Sequence, residues 1–214
     1  MNNITKPKLV VFEGLDGCGK TTQLEMLKEY FINKNIPVET FANVSDNSIG
    51  KCIRELGVNP ELYANSYQAG CLYLADLFVT DRKIRDCLDN GKVALCSRHF
   101  YSTVVYGANG NSDVKEAYYR ITDNLLARPD VVIYIKMDYK QIHDRIVNRN
   151  IENNSVRDVF ELEHKQHKYN DLYDNMFYKD DENASLGNII IVDGKKDKNT
   201  VFKTILSELE KYIL

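Results

Sequence analysis

The sequence contains no long apolar run, no paired cysteine motif and no large excess of charge of either sign. No apolar stretch approaches the ~18 residues that span a bilayer, and the one near the start is too short for a signal peptide. The five cysteines form no C-x-x-C pair, which argues against a disulfide scaffold or a zinc site and favours reduced thiols in the cytoplasm. The formal charge is -3, from 28 Lys and Arg against 31 Asp and Glu, which indicates no nucleic-acid partner. We therefore expect a soluble, cytoplasmic protein that binds neither a membrane nor a nucleic acid.

Short apolar runs alternate with longer amphipathic stretches along the whole chain. The runs predict strands at residues 8–13, 37–42, 92–96, 130–136 and 188–192. The amphipathic stretches predict helices at 19–34, 48–56, 64–90, 101–127 with a break near 107–111, 138–148, 158–178 and 197–213. This alternation predicts an α/β fold, with a five-stranded parallel sheet covered by helices on both faces.

The chain carries no repeat, low-complexity tract or shift in composition that would mark a linker. We therefore expect a single domain over residues 1–214. The polar segment 149–158, between two predicted helices, is the best candidate for a mobile loop and is predicted to be a short lid.

The stretch FEGLDGCGKTTQ follows the first predicted strand and opens the first predicted helix. It satisfies G-x-x-x-x-G-K-[ST] through Gly14, Gly19, Lys20 and Thr21, which is typical of a phosphate-binding P-loop. Side chains would keep a phosphate away from the main-chain N–H groups of such a loop, and the helix N-terminus adds positive potential. Lys20 is predicted to face the β- and γ-phosphates of a bound nucleotide, and Thr21 to hold Mg²⁺. The alternative is an ordinary glycine-rich turn. The predicted nucleotide-binding residues of this segment are Gly14, Asp16, Gly17, Cys18, Gly19, Lys20, Thr21 and Thr22.

The motifs that accompany the P-loop in GTPases are missing. A GTPase carries a D-x-x-G switch, and the sequence has none outside the P-loop itself. The guanine-reading N-K-x-D motif has only a faint counterpart at residues 194–197, where Gly194 replaces the asparagine. The sequence therefore favours another class of P-loop protein.

Arginines are placed where phosphoryl transfer would use them. Arg98 follows the third predicted strand, so its side chain is expected at the carboxyl edge of the sheet, where ligands bind in open α/β folds. Arg145, Arg149 and Arg157 flank or occupy the predicted lid, and cations over a transferring phosphoryl group stabilise its charge. The alternative for each lid arginine alone is a solvated surface charge. Together with the P-loop they favour catalysis, with Lys20, Arg98, Arg149 and Arg157 as the candidate catalytic residues.

Five segments, in order along the chain, resemble the thymidylate kinase family of P-loop nucleoside monophosphate kinases. They are VFEGLDGCGKTTQ, SIGKCIREL, LCSRHFYSTVVYG, RPDVVIYIKMDYKQIHDRI and IIIVDGKKDKNTVFKTI. The resemblance spans essentially the whole chain. It implies an ATP- and Mg²⁺-dependent kinase that transfers the γ-phosphoryl group to a deoxynucleoside monophosphate, with dTMP as the favoured acceptor and dTDP as product. It also implies a homodimer built on long helices.

The same resemblance implies roles for single residues. Asp16 would meet the sugar 3′-hydroxyl, Arg98 would grip the acceptor phosphate, and Arg149 would lie against adenine. Cys18 stands where one subgroup of the family has arginine, so the chain resembles the other subgroup, whose catalytic cations lie in the lid. His99 replaces the aromatic residue of the family's D-R-Y/F motif and is expected to pack near the acceptor.

The departures from the family pattern fall on the acceptor side. Ser97 replaces the aspartate of the D-R pair, which removes a carboxylate expected to organise Mg²⁺ or the reacting phosphates. Residues 42–45 replace a segment that supplies an arginine to the acceptor phosphate. The base-reading arginine falls at Asp76 or Leu77 and the glutamine at Gly107, so the thymine contacts are not reproduced.

Two interpretations of the acceptor side stay open. Tyr73 could stack on a base while Asp76 accepts a hydrogen bond from an exocyclic amine; alternatively, Asp76 pairs with Arg82 or another helix cation and Tyr73 is core. Glu13, just before the P-loop, would serve as the base for a nucleoside acceptor and has no such task with a monophosphate. The candidate acceptor-binding residues are Glu13, Asp16, Phe41, Tyr73, Asp76, Arg98 and Tyr106.

Three functions therefore stay open at the level of sequence. The first is a dTMP kinase, and the second is a kinase for another pyrimidine nucleotide or a deoxynucleoside. The third is a nucleotide-binding protein with impaired catalysis. The tyrosine-rich stretch 169–178 is expected to belong to the core or to a dimer contact.

Overall fold

A computed structural model describes residues 8–59, 65–152, 162–178 and 188–212, and the side chains of 147–152 fall outside that description. The strands are β1 (Leu9–Glu13), β2 (Val38–Ala42), β3 (Val93–Ser97), β4 (Val131–Lys136) and β5 (Asn188–Asp193). They form one sheet in the order β2-β3-β1-β4-β5, and every neighbouring pair is parallel.

Helices connect the strands in the alternation that the sequence predicts. They are α1 (Lys20–Asn33), α2 (Ser48–Val58), α3 (Ser66–Asp89), α4 (Phe100–Thr103), α5 (Ser112–Thr122), α6 (Tyr139–Glu152), α7 (Glu163–Tyr178) and α8 (Lys198–Leu209). A π-helical turn, Val104–Ala108, lies between α4 and α5.

Burial explains the composition of the strands. All five residues of β1 are buried, and this strand lies at the centre of the sheet, between β3 and β4. A parallel strand covered on both faces is apolar along its length rather than alternating. β2, at one edge, is half-exposed and carries the polar residues Glu39 and Thr40.

Asparagine side chains fix the beginnings of three helices. Asn47, Asn65 and Asn111 each accept a hydrogen bond from the main-chain N–H three residues further on, at the start of α2, α3 and α5 respectively. Such caps satisfy one of the N–H groups that a helix leaves without an internal partner.

The predicted fold class and all five strands are confirmed, with bounds that agree to within a residue. The break in the fourth predicted helix is also confirmed, because α4, the π-helical turn and α5 replace one continuous helix. The predicted end of the helix 138–148 is wrong: α6 continues to Glu152, so residues 149–152 are helical and not part of a loop. Once a helix has formed, each added residue gains a hydrogen bond at little further cost, and weak helix formers such as asparagine do not end it. Residues 153–158, the rest of the predicted lid, lie outside the described residues.

The parallel arrangement brings functional segments to one edge of the sheet. Phe12 is paired with Ser97, and Ser97 is paired with Ala42, so β1, β3 and β2 end side by side. The loop after β1 and the residues after β2 and β3 therefore face a common space. Within the described ranges, no helix combines the length and the apolar character that a membrane crossing would need.

Candidate active site

A cavity of about 540 Å³ lies at this edge of the sheet. The loop after β1 and the start of α1 form part of its lining, and the ends of β2 and β3 form the rest together with α2, α3, α4 and the π-helical turn. The lining residues are Asp16, Gly17, Gly19, Lys20, Thr21, Thr22, Ala42, Asn43, Val44, Ile53, Arg54, Tyr73, Ser97, Arg98, Ser102 and Tyr106.

The loop after β1 has the backbone that the P-loop motif predicts. Gly14 and Gly19 have φ values of 137° and 105°, in a region that L side chains rarely adopt. A Cβ atom on Gly14 would lie 2.7 Å from the carbonyl oxygen of Ile135, whereas one on Gly19 would meet nothing within 4 Å. Gly14 is therefore required by packing. Gly19 leaves the start of α1 open to the cavity.

Lys20 is held by the loop that precedes it. Its Nζ donates to the carbonyl oxygens of Gly14 and Leu15 at 3.0 and 2.8 Å, and lies 3.9 Å from the Cys18 Sγ. Burial, together with the nearby Arg98 guanidinium, lowers the pKa of the Lys20 ammonium. Phosphate oxygens that replace these carbonyls would add negative charge beside this buried cation, whose Nζ lies 4.0 Å from the Asp16 carboxylate.

Arg98 extends from the end of β3 into the same cavity. Its Nη2 donates to the Asp16 carboxylate at 2.6 Å, and its guanidinium carbon lies 5.0 Å from the centre of the Tyr106 ring. Lys20 Nζ is 4.0 Å from the same Asp16 oxygen. The structure thus brings the predicted residues Asp16, Lys20, Arg98 and Tyr106 together.

Glu13 lies behind Arg98 rather than in the cavity. It is fully buried, and its oxygens accept hydrogen bonds from the main-chain N–H of His99 and from the hydroxyl groups of Ser102 and Tyr173, at 2.8, 2.6 and 3.1 Å. Burial raises the pKa of this carboxyl group, although Arg98 and the Ser102 hydrogen bond oppose the shift. Glu13 therefore supports the site from inside the core and lines no part of the cavity.

Asp76 is also turned away from the cavity. It is fully buried, and its carboxylate accepts hydrogen bonds from the Asn43 side chain at 3.0 Å and from the main-chain N–H and hydroxyl of Ser45 at 2.8 and 2.5 Å. Its described partners are thus on the loop after β2 and not Arg82. In this arrangement Asp76 shapes the loop and does not face a base.

The other predicted acceptor residues divide between the cavity and the core. Tyr73 lines the cavity and is partly buried, whereas Phe41 packs against the core and does not line it. Leu77 is fully buried, and a Cβ atom on Gly107 would lie 2.6 Å from the Cα atom of Gly70. The π-helical turn thus approaches α3 so closely that Gly107, where the family has its glutamine, has no room for a side chain.

Three residues that sequence reasoning missed belong to the site. Arg54 on α2 lines the cavity and donates to the carbonyl oxygen of Ser45 at 2.9 Å. Ser102 and Tyr173 link Glu13 to Arg98, since Arg98 Nη1 donates to both hydroxyl oxygens, at 2.8 and 3.0 Å. The arginine of SIGKCIREL was a usable signal for Arg54, whereas Tyr173 was assigned with its neighbours to the core or a dimer contact. Tyr173 is indeed fully buried.

The lining of the cavity suits Mg²⁺ held largely by phosphates. Mg²⁺ commonly keeps several waters and takes only one or two protein ligands beside substrate phosphates. Thr21, which is exposed, and Ser97 both line the cavity and carry hydroxyl oxygens. In the described part of the chain, no three His, Cys, Asp or Glu side chains gather at metal-binding distance.

Two candidate catalytic residues lie at or beyond the limits of the described structure. The main chain of Arg149 is part of α6, and its side chain is not described. Arg157 lies outside the described residues. Their proposed roles stay predictions.

Comparison with known proteins covers nearly the whole chain. The family model described as thymidylate kinase matches residues 12–205. A probable thymidylate kinase of Methanococcus maripaludis is 31% identical over 206 residues, covering 94% of each chain. The thymidylate kinase of Fervidobacterium nodosum is 29% identical over 213 residues, covering 95% of this chain and 99% of its own.

Solved structures show the same fold. The thymidylate kinase of Candida albicans, described as having broad substrate specificity, matches with a TM-score of 0.73 at 21% identity, over 96% of this chain and 92% of its own. With the P-loop geometry and the family match over residues 12–205, the resemblance seen in the sequence is confirmed, and this chain belongs to the thymidylate kinase family.

Proposed function

We propose that this chain transfers the γ-phosphoryl group of ATP to dTMP, giving ADP and dTDP. One observation supports this most directly: Lys20, at the start of α1, and Arg98, after β3, lie 4.0 and 2.6 Å from the same Asp16 oxygen. Donor and acceptor phosphates bound by these two cations would be neighbours. Short separation and fixed orientation are what phosphoryl transfer requires of a protein.

The donor side of the reaction is the P-loop. Lys20 binds the β- and γ-phosphates, and the main chain around Gly17 and Gly19 approaches them closely. Thr21 would hold Mg²⁺, which when bound neutralises charge on the phosphates. The lid arginines Arg149 and Arg157 would add positive charge over the transferring group, and the family resemblance assigns Arg149 a further contact with adenine.

The acceptor side combines Asp16 of the P-loop with residues from the other elements around the cavity. Arg98 binds the acceptor phosphate, Asp16 meets the sugar 3′-hydroxyl, and Tyr73 stacks on the base. An acceptor oxygen then forms a bond to the γ-phosphorus while the bond to the β,γ-bridging oxygen breaks. Arg54 also lines the cavity and adds a cation near residues 42–45, where the family arginine is missing.

A monophosphate acceptor fits the site better than a nucleoside. A nucleoside hydroxyl needs a base within hydrogen-bond reach, and Glu13 was the candidate for this role. Glu13 is fully buried, and its oxygens already accept hydrogen bonds from His99, Ser102 and Tyr173. A monophosphate is already anionic and needs no such base.

A panel of acceptors tests the proposal. Purified protein is assayed for ADP release with ATP, Mg²⁺ and each of dTMP, dUMP, dCMP, CMP, UMP, thymidine and deoxycytidine. We expect the highest kcat/KM with dTMP. A Lys20→Met variant should lose about 10²- to 10³-fold in kcat, as is typical when one preorganised charge-stabilising group is removed. Equal activity of this variant, or turnover of nucleosides alone, would contradict the proposal.

A second candidate is a kinase that accepts several deoxynucleoside monophosphates. It is favoured by the buried Leu77 and by Gly107, since neither can donate a hydrogen bond from a side chain to a thymine carbonyl. The same panel separates the two candidates, because kcat/KM values for dTMP, dUMP and dCMP within about threefold of one another would favour the broad enzyme. A difference that small corresponds to less than one hydrogen bond.

We further propose that residues 1–214 form one kinase domain that acts in the cytoplasm as a homodimer. Side chains on α3 and near the end of α5 expose apolar surface, with Tyr67, Val79, Ile121 and Leu125 each more than 40% exposed. All five cysteines are free thiols, which suits a reducing compartment. Light scattering of the purified protein, with a measured mass of about twice 24.7 kDa, tests the dimer.

A further inference from the structure

Asp76 and Leu77 stand where the thymidylate kinase family has its base-reading arginine, and both side chains are fully buried. Asp76 Oδ2 accepts hydrogen bonds from the Asn43 side chain and from the main-chain N–H of Ser45, and Oδ1 accepts from the Ser45 hydroxyl. Both partners lie on the loop after β2. A buried carboxylate is costly unless it is hydrogen-bonded, so these three bonds tie the loop to α3.

Ser45 connects Asp76 to the start of α2. Its hydroxyl oxygen, which donates to Asp76, also accepts from the main-chain N–H of Asn47 at 3.3 Å, and Asn47 caps α2. A Cβ atom on Gly50, in the first turn of α2, would overlap the carbonyl oxygen of Ser45, so the loop and the helix are in close contact. The position of the first turn of α2 therefore depends on Ser45, and that of Ser45 depends on Asp76.

The same serine holds Arg54. Its carbonyl oxygen accepts from Arg54 Nη1 at 2.9 Å, while Arg54 Nη2 pairs with Asp46 at 3.3 Å. Arg54 lines the P-loop cavity with a side chain that is 47% exposed, so its guanidinium is accessible to an anion. Because Asp46 is fully exposed and exposed ion pairs contribute little, the Ser45 carbonyl is the contact that directs the guanidinium.

We propose that Asp76 is a positioning residue for the acceptor phosphate and acts through Ser45 on Arg54. The carboxylate fixes both the N–H and the hydroxyl of Ser45, which sets the direction of the serine carbonyl and hence the place of the guanidinium. Asp76 itself is buried and touches no substrate. A position that reads the base in the family thus acts on a phosphate contact in this chain. The inference rests on the proposed function, because it requires Arg54 to meet the acceptor phosphate.

A double-mutant cycle tests the path from Asp76 to Arg54. The dissociation constant of dTMP is measured by calorimetry on full-length protein carrying Asp76→Ala, Arg54→Ala or both. We expect each single substitution to weaken dTMP binding about five- to tenfold, in the range of one phosphate contact, with binding of a non-hydrolysable ATP analogue unchanged. The double variant should bind at most about twofold more weakly than the weaker single variant, whereas independent effects would multiply to about 25-fold or more.

A conservative variant and a matched control separate positioning from folding. Asp76→Asn keeps an oxygen that can accept from Asn43 and from the Ser45 N–H, so its affinity for dTMP should stay within about twofold of that of the unsubstituted protein. Asp81 is a second buried carboxylate on α3, and it accepts from the main-chain N–H of Ala127 at 2.6 Å, away from the cavity. Asp81→Ala should lower the stability of the fold and leave the affinity for dTMP unchanged.

Ser45→Ala keeps the test valid if Asp76→Ala fails to fold. It removes only the hydroxyl link to Asp76, and we expect about threefold weaker dTMP binding, an effect that disappears when Arg54 is already alanine. Effects that multiply in either cycle, an equal loss of dTMP binding in Asp81→Ala, or an equal loss of ATP-analogue binding would overturn the inference. Absence of dTMP binding by the unsubstituted protein would overturn it as well. Coupled binding effects in a protein that does not phosphorylate dTMP would contradict the proposed function and support this inference.

Discussion

Arg98 is joined to Glu13 through a single hydroxyl group, that of Ser102. Arg98 Nη1 donates to Ser102 Oγ at 2.8 Å, and the same oxygen donates its proton to Glu13 Oε2 at 2.6 Å. Tyr173 makes a second, parallel link between the two residues. The buried carboxylate fixes the direction of both hydroxyl protons, so that their lone pairs face the guanidinium. Glu13 is in this way a positioning residue for the arginine proposed to bind the acceptor phosphate.

Replacing Glu13 by Gln tests this positioning role. Gln keeps the shape but presents N–H donors where the hydroxyl protons now point, so Ser102 and Tyr173 must turn and Arg98 loses its orientation. We expect the KM for dTMP to rise about tenfold, the effect of roughly one charge-assisted hydrogen bond, with the KM for ATP unchanged.

Glu39→Gln is the control for this substitution, because Glu39 lies on the edge strand β2 and forms a half-exposed ion pair with Lys92 at 3.2 Å. Its kinetic constants should match those of the unsubstituted protein. An unchanged KM for dTMP in Glu13→Gln would show that Arg98 holds its place without the buried carboxylate.

The raised pKa of Glu13 gives stability a defined pH dependence. The folded protein binds the Glu13 proton more tightly than the unfolded chain, whose carboxyl has the ordinary pKa of 4.5. The contribution of Glu13 to the free energy of unfolding is therefore greatest below pH 4.5 and falls as the pH rises through the folded-state pKa. Urea unfolding at several pH values above 4.5 gives the free energies of unfolding of the protein and of Glu13→Gln. We expect the variant to become more stable relative to the protein as the pH rises. A difference between the two free energies that does not change with pH would refute the expectation.

Local sequence signals predicted the parts of the site that depend on local structure. The P-loop was found because its glycines, lysine and threonine lie within eight residues between one strand and one helix. The position of Arg98 was predicted because the carboxyl ends of all the strands in a parallel sheet lie at the same edge.

The partners of Asp76 could not be predicted, since Asn43 and Ser45 are 33 and 31 residues away and meet it only when β2 and α3 pack together. The same holds for Tyr173, which reaches Glu13 across 160 residues of sequence.

Arg54 is expected to substitute in part for the arginine that residues 42–45 lack. It lines the cavity from α2, and its hydrogen bond to the Ser45 carbonyl holds it near the loop after β2. Arg54→Ala should raise the KM for dTMP about five- to tenfold, in the range of one phosphate contact. Arg54→Lys should recover part of this loss, because Lys keeps the charge but not the paired donors.

Lys51→Ala is the matched control for Arg54, since Lys51 is an exposed cation one turn earlier on the same helix. Steady-state kinetics at a fixed ATP concentration compare the three variants. A KM shift as large in Lys51→Ala as in Arg54→Ala would mean that the net charge of α2, and not the Arg54 contact, sets the affinity.

Ser97→Asp decides whether the missing carboxylate of the D-R pair limits turnover. Ser97 lines the cavity at the end of β3, beside Arg98, and its neutral hydroxyl attracts Mg²⁺ less than a carboxylate would. We expect the Mg²⁺ concentration for half-maximal activity to fall about threefold or more in Ser97→Asp, since one added anionic ligand strengthens the attraction by more than ~1 kcal/mol at close range. Ser97→Asn introduces a side chain of nearly the same size as aspartate but without charge, and should not reproduce the effect.

If both variants bind ATP normally and neither changes the Mg²⁺ dependence or kcat, the serine at position 97 is not the departure from the family pattern that limits turnover. The third function considered above, nucleotide binding with impaired catalysis, would gain support if turnover then stayed at background with every acceptor.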